Sequence, residues 1–334
     1  MSRRVLITGV TGMLGRELAG CLRRRGCAVY GAARRPLEGW QDGLDWLPIV
    51  CDLEDEAAVL RAVRLSRPDL IFHLAAAQAS ATRSRSVDRL FAVNVGGTLR
   101  LLAAAARAAP GARVIVASTG AVYGPNTGPR QRWREEAPLR PASPYAASKA
   151  AMEVAARGAA AGFGIEVVVA RLFNLIGLSP GSDSAPSGFA RQIAAMMAGG
   201  SPRPLVTGNL RAVRDYLDAR DAARALVLLG ELPGPDPVYN VCSGRGVRLE
   251  WMARELWRLS GLGEPVFAAA TAGSTPAPAQ ADPPRADRLV GDPRRIRAAT
   301  GWAPEVPLTR ALERLLAYWR SRVAAGFPGE EEEP

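Results

Sequence analysis

Tyr145-Ala-Ala-Ser-Lys149 carries the one lysine of this chain, whose 43 strongly basic side chains are otherwise all arginine. A position that stays lysine against that bias calls for a compact ammonium rather than a planar guanidinium fork. Residues four apart share a helix face, so the phenol and the ammonium can address one bound molecule. At a separation of roughly 5 Å and an effective dielectric near 20, the ammonium favours the phenolate by about 3 kcal/mol, or about two pKa units. The expected result is a tyrosine able to exchange a proton near neutral pH.

A second group of residues suited to chemistry lies near the N-terminus. Thr8-Gly9-Val10-Thr11-Gly12-Met13-Leu14-Gly15 follows an apolar strand directly and opens a helix. Glycines at this junction permit a tight turn, close approach of a pyrophosphate, and tight packing of helix on strand. The helix N-terminus adds unpaired N–H groups and a partial positive charge. Gly9, Thr11, Gly12, Met13, Leu14 and Gly15 are therefore the expected dinucleotide cradle. The next strand bears on which dinucleotide. An NAD site places Asp or Glu near the end of that strand for the ribose hydroxyls. Here Val29-Tyr30-Gly31-Ala32-Ala33 runs into Arg34-Arg35, and the nearest acid, Glu38, follows only after Pro36. Two guanidiniums suit a ribose phosphate, so NADP(H) is expected in preference to NAD(H). Asp52-Leu53 is placed to meet the adenine edge, and Leu74-Ala75-Ala76-Ala77 is small enough for backbone to pass close to the dinucleotide.

These groups need a sheet to hold them. Val5–Thr8, Ala28–Ala32, Leu47–Cys51, Leu70–Leu74, Arg113–Ser118 and Glu166–Leu172 have strand character. Leu14–Arg24, Glu56–Leu65, Val87–Arg107 and Tyr145–Ala161 have helical periodicity or alanine-rich helix-forming composition. This alternation predicts an α/β fold, a doubly wound parallel sheet of Rossmann type with a smaller mixed α/β C-terminal domain. After Arg171 the texture changes to Gly, Pro and Ser loops at Ser179–Gly188 and Gly199–Pro204. A helix (Asp218–Leu229) and a strand (Val238–Cys242) then rejoin the sheet. The expected division is a dinucleotide domain over residues 1–172 with 216–243 returning to it. A substrate domain then covers 173–215 and 244–325, and a disordered tail covers 326–334. Thr271–Pro284 reads as a surface loop that a ligand orders, and Glu330–Glu333 as a solvated acidic run.

Composition narrows the function classes. With 334 residues, 48 % hydrophobic and 22 % charged, the chain has ample material for a large core. Met1-Ser2-Arg3 runs straight into an apolar strand, leaving no room for a signal peptide, and no run of 18 apolar residues occurs; a cytoplasmic protein is expected. Cys21, Cys27, Cys51 and Cys242 lack metal-ligand or redox spacing and read as buried free thiols in a reducing cytoplasm. His73 is the only histidine and lies in the apolar run Leu70–Leu74, which makes it a structural residue; no metal site is expected. The net charge of +11 is spread along the chain, with no basic stripe interleaved with aromatics, so nucleic acid is not an expected partner.

Taken together, several motifs resemble the extended short-chain dehydrogenase/reductases, and within them the nucleotide-sugar epimerase/dehydratase/reductase group. They are Thr8–Gly15, Asp52-Leu53, His73-Leu74-Ala75-Ala76, Asn94 with Gly97-Thr98, Ser118-Thr119 with Val122-Tyr123-Gly124, and Tyr145…Lys149. The second half is similar to the branch of GDP-mannose 4,6-dehydratases and GDP-4-keto-6-deoxymannose reductases. It carries Ala170-Arg171-Leu172-Phe173-Asn174, Ala190-Arg191-Gln192-Ile193, Gly208-Asn209-Leu210 with Arg214-Asp215-Tyr216, and Val238–Gly244. One departure is Leu172, where the family usually has proline, so the loop carrying Phe173 and Asn174 is expected to shift.

The resemblance implies roles. Thr119 hydrogen-bonds the reacting sugar oxygen, Tyr145 donates or accepts the proton, and Lys149 holds the nicotinamide ribose and lowers the tyrosine pKa. Asn94 and Leu172 join the dinucleotide contacts. Asn174, Arg191, Asn209, Arg214 and Arg285 are carried over to the nucleotide-sugar substrate. Dehydratases of the group place an acid shortly after the Thr or Ser, whereas Thr119 is followed by Gly120-Ala121, so elimination lacks its general acid/base. Two readings stay open: an NADPH-dependent reductase of a 4-keto-6-deoxy nucleotide sugar and a 4-epimerase that recycles a tightly held dinucleotide. Arg34-Arg35 favour the reductase. A non-catalytic NADP sensor is the reading from another class, and retention of the Tyr145–Lys149 pair argues against it. In this family, helices such as Val87–Arg107 and Tyr145–Ala161 often form a two-fold interface, so a homodimer is expected.

Overall fold

The computed structural model describes residues 2–35, 45–78, 87–124, 132–179, 181, 184–200, 203–234, 237–269 and 288–326. Arg285, the Thr271–Pro284 segment and the Glu330–Glu333 run lie outside the described residues.

The N-terminal half alternates strand and helix. Its strands are β1 (Arg4–Thr8), β2 (Ala28–Ala33), β3 (Leu47–Val50), β4 (Leu70–His73), β5 (Arg113–Thr119) and β6 (Val167–Leu172). The helices between them are α1 (Met13–Arg24), α2 (Glu56–Ser66), α3 (Val87–Phe91), α4 (Gly97–Ala108) and α5 (Pro144–Phe163). Further on come β7 (Asn174–Ile176), α6 (Ala185–Gly199), β8 (Leu205–Thr207), β9 (Val213–Asp218), α7 (Ala219–Glu231) and β10 (Val238–Val241). The remainder is β11 (Gly246–Arg248), α8 (Leu249–Ser260), β12 (Phe267–Ala269), β13 (Arg288–Leu289), α9 (Arg294–Thr300) and α10 (Leu308–Ala324).

The main sheet has seven parallel strands in the order β10-β6-β5-β4-β1-β2-β3. Strand periodicity divides the core into two layers. Val5 and Ile7 of β1 pack with α1 and α7 on one face, while Leu6 packs with α2, α4 and α5 on the other. Both faces are covered, so the strands read as continuous apolar runs rather than as alternating ones. Strand order reverses between β1 and β4, and a crevice opens past the carboxyl ends of these two strands, where ligands of such sheets bind.

The smaller C-terminal part packs α6, α8 and α10 around Phe189, Ile193, Met252, Trp257, Leu312 and Trp319. Beside these helices, β9 pairs with β7, β11 and β13, and β8 pairs with β12. Among the described residues no helix is long and apolar enough to cross a membrane.

Two expectations are corrected. The helix expected over Val87–Arg107 is interrupted by a π-helical turn at Ala92–Gly96, between α3 and α4. Asn94 is the buried residue of that turn, and its amide is bonded across to Ala77 and Ser148, partners that periodicity does not reveal. The loop expected over Ser179–Gly188 instead contains the start of α6. Ser184 accepts a hydrogen bond from the Ser187 N–H as its cap, and Pro186 lies in the first turn, where its missing N–H costs nothing.

Candidate active site

At the β1–α1 junction Gly9 has φ +73°, and a Cβ there would lie 2.7 Å from the Ala75 nitrogen. Only glycine fits between β1 and the segment after β4. Gly15 serves packing, since a Cβ would meet the Gly9 carbonyl oxygen at 2.4 Å. Gly12 caps α1 without a side-chain hydrogen bond, which leaves the first-turn N–H groups for an anion.

A cleft of about 300 Å³ opens above this turn. Gly9, Thr11, Gly12, Arg34, Asp52, Leu53, Leu74, Ala75, Ala76 and Ala77 all line it. Thr8, Ala32, Ala33, Cys51, Gln78, Arg89 and Val93 line it as well. Arg89 and Val93 come from α3 and the π-helical turn. A closed turn, a narrow crevice, an uncapped helix start and a guanidinium at the end of β2 suit a dinucleotide phosphate. Gly9, Gly12 and Arg34 are the residues that would hold it.

Other expected contacts lie elsewhere. Arg35 is exposed and is not part of the cleft wall. Met13 packs against Gly177, Leu14 is buried in the core, and Leu172 packs on that same core layer. The expectation for Asn94 is corrected: its Oδ1 accepts from the Ala77 N–H at 2.8 Å, while Nδ2 donates to the Ala77 carbonyl and to Ser148 Oγ. With 1 % of its surface exposed, Asn94 holds the cleft wall from behind. Leu172 ends β6 in register with Thr119, as the last rung of the β5–β6 pair.

His73 is structural, as expected. Thr98 Oγ1 donates to the Asn94 carbonyl at 2.6 Å, so it accepts from His73 Nε2–H at 2.9 Å. Nδ1 then accepts from Thr8 Oγ1 at 2.7 Å, and Thr8 in turn accepts from the Ala75 N–H. Burial, with the Lys149 charge second, pushes the imidazole down to about 3. The neutral ring thus ties β1, β4 and α4 together behind the cleft.

Thr119 ends β5, and Lys149 of α5 reaches the backbone of that strand two residues earlier, at Ala117. Thr119 Oγ1 accepts from the Ala121 N–H at 3.2 Å, leaving its own proton to donate. Ser143 caps α5, and Pro144 opens it, so Tyr145 stands in the first turn and Lys149 one turn later. Lys149 is buried, and its ammonium donates to the Ala117 carbonyl of β5 at 2.7 Å. Burial lowers its pKa to about 8, opposed by the charge of Glu153. The expected lowering of the tyrosine pKa is corrected. The ammonium is engaged with Ala117, and burial pushes the Tyr145 phenol up to about 12.

On the other side of the sheet end, Asn174 Nδ2 donates to the Asp215 carbonyl at 3.2 Å, and Arg214 occupies the neighbouring position of β9. Arg191 lies over the Trp319 ring of α10, 6.0 Å from its centroid. Asn209 turns inward on its own loop, its Oδ1 accepting from the Arg211 N–H. Asp215, fully buried, accepts from Ser243 N and Oγ and from the N–H groups of Gly244 and Gly291. Against those donors, burial still raises its carboxyl to about 6. It fastens β9 to the segments after β10 and β13.

One buried cluster was not read from the sequence as part of the site. Glu153 on α5 accepts from Ser118 Oγ and from Arg171, whose Nη1 also donates to Tyr123 Oη and to the Glu135 carbonyl. Arg171 stacks on the Tyr123 ring, which stacks on Trp133. The signals in the sequence were a glutamate four residues after Lys149 and the motifs that carry Ser118, Tyr123 and Arg171, which nothing local joins to it.

Residues 5–242 of this chain match the NAD dependent epimerase/dehydratase family. The chain is 31 % identical over 323 residues to the GDP-6-deoxy-D-mannose reductase of Pseudomonas aeruginosa, covering 97 % of this chain and 99 % of that one. Among solved structures, RMD from Pseudomonas aeruginosa complexed with NADPH superposes with a TM-score of 0.79 at 27 % identity, covering 96 % of this chain and 99 % of that one. The UDP-glucose 4-epimerase of Thermus thermophilus in complex with NAD gives 0.78 at 27 % identity, covering 95 % and 99 %.

Proposed function

The chain belongs to the NAD dependent epimerase/dehydratase family, enzymes that act on nucleotide sugars with NAD(P), and within it we propose an NADPH-dependent reductase of a 4-keto-6-deoxy nucleotide sugar of the GDP-linked type. The observation that carries this reading is the wall of the dinucleotide cleft at the end of β2. A guanidinium, Arg34, stands where an NAD site places a carboxylate, and this suits a ribose phosphate and a consumable reductant. The likeness to a GDP-6-deoxy-D-mannose reductase over nearly the full length of both chains supports the substrate class.

When bound, NADPH supplies the hydride to the sugar carbonyl carbon. The chain's own residues manage the oxygen. Thr119, whose Oγ1 accepts from the Ala121 N–H and keeps its own O–H available, donates a hydrogen bond to the carbonyl oxygen. Tyr145, held protonated at neutral pH by burial, is the acid that delivers a proton as charge develops on that oxygen. The Lys149 ammonium offsets the phenolate left behind. Asn174 and Arg214 border the sugar-nucleotide side, and Arg285 is retained as a phosphate contact. Gly120-Ala121 supplies no acid for elimination, which supports reduction over dehydration.

The test mixes enzyme, NADPH and GDP-4-keto-6-deoxymannose and follows the nicotinamide absorbance. One NADPH consumed per keto sugar is the expected outcome. A flat trace with a changed sugar would instead support the 4-epimerase reading, to which the likeness to UDP-glucose 4-epimerase lends weight.

A further inference from the structure

Helix α5 has to present Tyr145 and Lys149 at a fixed height and rotation against the end of β5. Its apolar contacts constrain this weakly. In this core layer it buries Met152 and Ala156, with Ala159 and Ala160 partly buried against it, and three of these four are single methyl groups that make few dispersion contacts each. The directional restraints are polar. Lys149 donates to the carbonyl of Ala117, and Glu153, one turn on, accepts from the hydroxyl of Ser118, the next residue of β5. Arg171, which holds the Glu153 carboxylate through Nε and Nη2, is the β6 residue in register with Ser118. The next rung of that strand pair is Thr119 with Leu172.

We infer that Glu153 is the positioning residue of this site: its carboxylate fastens α5 to the β5–β6 rung below Thr119 and so seats the Lys149 ammonium against the Ala117 carbonyl. The inference deepens the reductase reading and rests on it only for the role of Lys149 in turnover.

Charge bookkeeping supports the assignment. Lys149, Glu153 and Arg171 expose 3, 0 and 3 % of their surface, so solvent screens them little. The titratable groups around the ammonium are Tyr145 and Glu153 on its own helix and His73 from β4, with Arg171 of β6 behind Glu153. His73 is neutral and Tyr145 protonated, so Glu153 is the one anion in this group to favour a buried cation. A buried guanidinium shares that carboxylate, which leaves the cluster one positive charge in excess.

The single lysine makes the test direct. In protein labelled with [ε-13C]lysine, Lys149 gives one side-chain methylene resonance, and its titration needs neither substrate nor dinucleotide. The wild-type midpoint is expected near pH 8. Glu153→Gln should lower it by about one pH unit or more, as loss of a nearby opposite charge does. That variant leaves Arg171 buried without a counter-charge and could unfold for that reason alone. The double variant Glu153→Gln with Arg171→Met removes both charges at similar volume, and its midpoint should fall likewise. A folded variant whose lysine titrates as in wild type would overturn the inference.

The alkaline limb of kcat/KM for NADPH-dependent reduction should fall with the lysine midpoint. If the midpoint moves and the limb does not, the link between Glu153 and Lys149 stands, and the role proposed for Lys149 in turnover fails instead.

Discussion

His73 offers a quantitative test of how tightly the dinucleotide half of the site is held. The ring donates from Nε2 to Thr98 and accepts at Nδ1 from Thr8, and burial lowers its pKa from 6.5 to about 3. In the unfolded chain the ring binds a proton below about 6.5, whereas the native ring does not, so its contribution is lost as pH falls. Between pH 7 and pH 4.5 the two pKa values give a loss on the order of 2–3 kcal/mol. Asp215 acts in the opposite sense. Its native pKa is raised from 3.8 to about 6, so acidification relieves a buried charge and returns about 2 kcal/mol over the same interval. Wild-type stability should therefore change little from these two groups combined. Urea unfolding of wild type and His73→Gln at both pH values separates them, because every other group is common to the two proteins. Whatever the variant costs at pH 7, its stability should decline by roughly 2–3 kcal/mol less than wild type on acidification. Parallel declines would refute the account of a neutral histidine locked between two threonines.

Tyr145→Phe should abolish turnover while leaving NADPH affinity within a few-fold by fluorescence titration. Lys149→Arg should fail as well, because a guanidinium does not fit the buried place between the Ala117 carbonyl and Met152; substantial activity in either variant would refute the assignment. Arg34→Ala should weaken NADPH binding by roughly tenfold to a hundredfold, on the order of 1.5–3 kcal/mol for charge-assisted bonds, with NADH affinity unchanged. Arg35→Ala should matter less, since Arg35 is outside the cleft wall; equal losses for both dinucleotides would show that Arg34 does not read the ribose phosphate. Gly9→Ala and Gly26→Ala both place alanine at positive φ, a strain of roughly 1–2 kcal/mol each by urea unfolding. Only Gly9→Ala should also lose NADPH binding, because its Cβ meets Ala75 whereas that of Gly26 meets open space.

Local signals in the sequence located most of the sheet and the dinucleotide turn. Leu6 and its neighbours form a continuous apolar run because both faces of β1 are covered, and Gly9 to Gly15 lie close together in sequence as well as in space. The relation of Tyr145 to Lys149 is likewise one helical turn. What was not legible depends on partners far apart in the chain. Nothing near Lys149 indicates that its ammonium is bonded to Ala117, 32 residues earlier, so the balance between burial and charge at Tyr145 came out opposite to expectation. The π-helical turn around Asn94 depends on Ala77 and Ser148 in the same way. The start of α6 was a local miss: Ser184-Ala185-Pro186 carries a cap and a first-turn proline, and glycine and proline nearby were read as loop. Arg191 was placed on the substrate by resemblance, but the structure lays it across Trp319.

Isotope transfer tests the central claim most directly. NADPH deuterated at the reactive nicotinamide carbon is incubated with the enzyme and GDP-4-keto-6-deoxymannose, and the product is examined by NMR. The account predicts one deuterium on sugar carbon 4 of a released 6-deoxy sugar nucleotide, with one NADP⁺ formed per product and no transfer in Tyr145→Phe. A changed sugar nucleotide carrying no deuterium from added NADPH, with the added dinucleotide unconsumed, would contradict it.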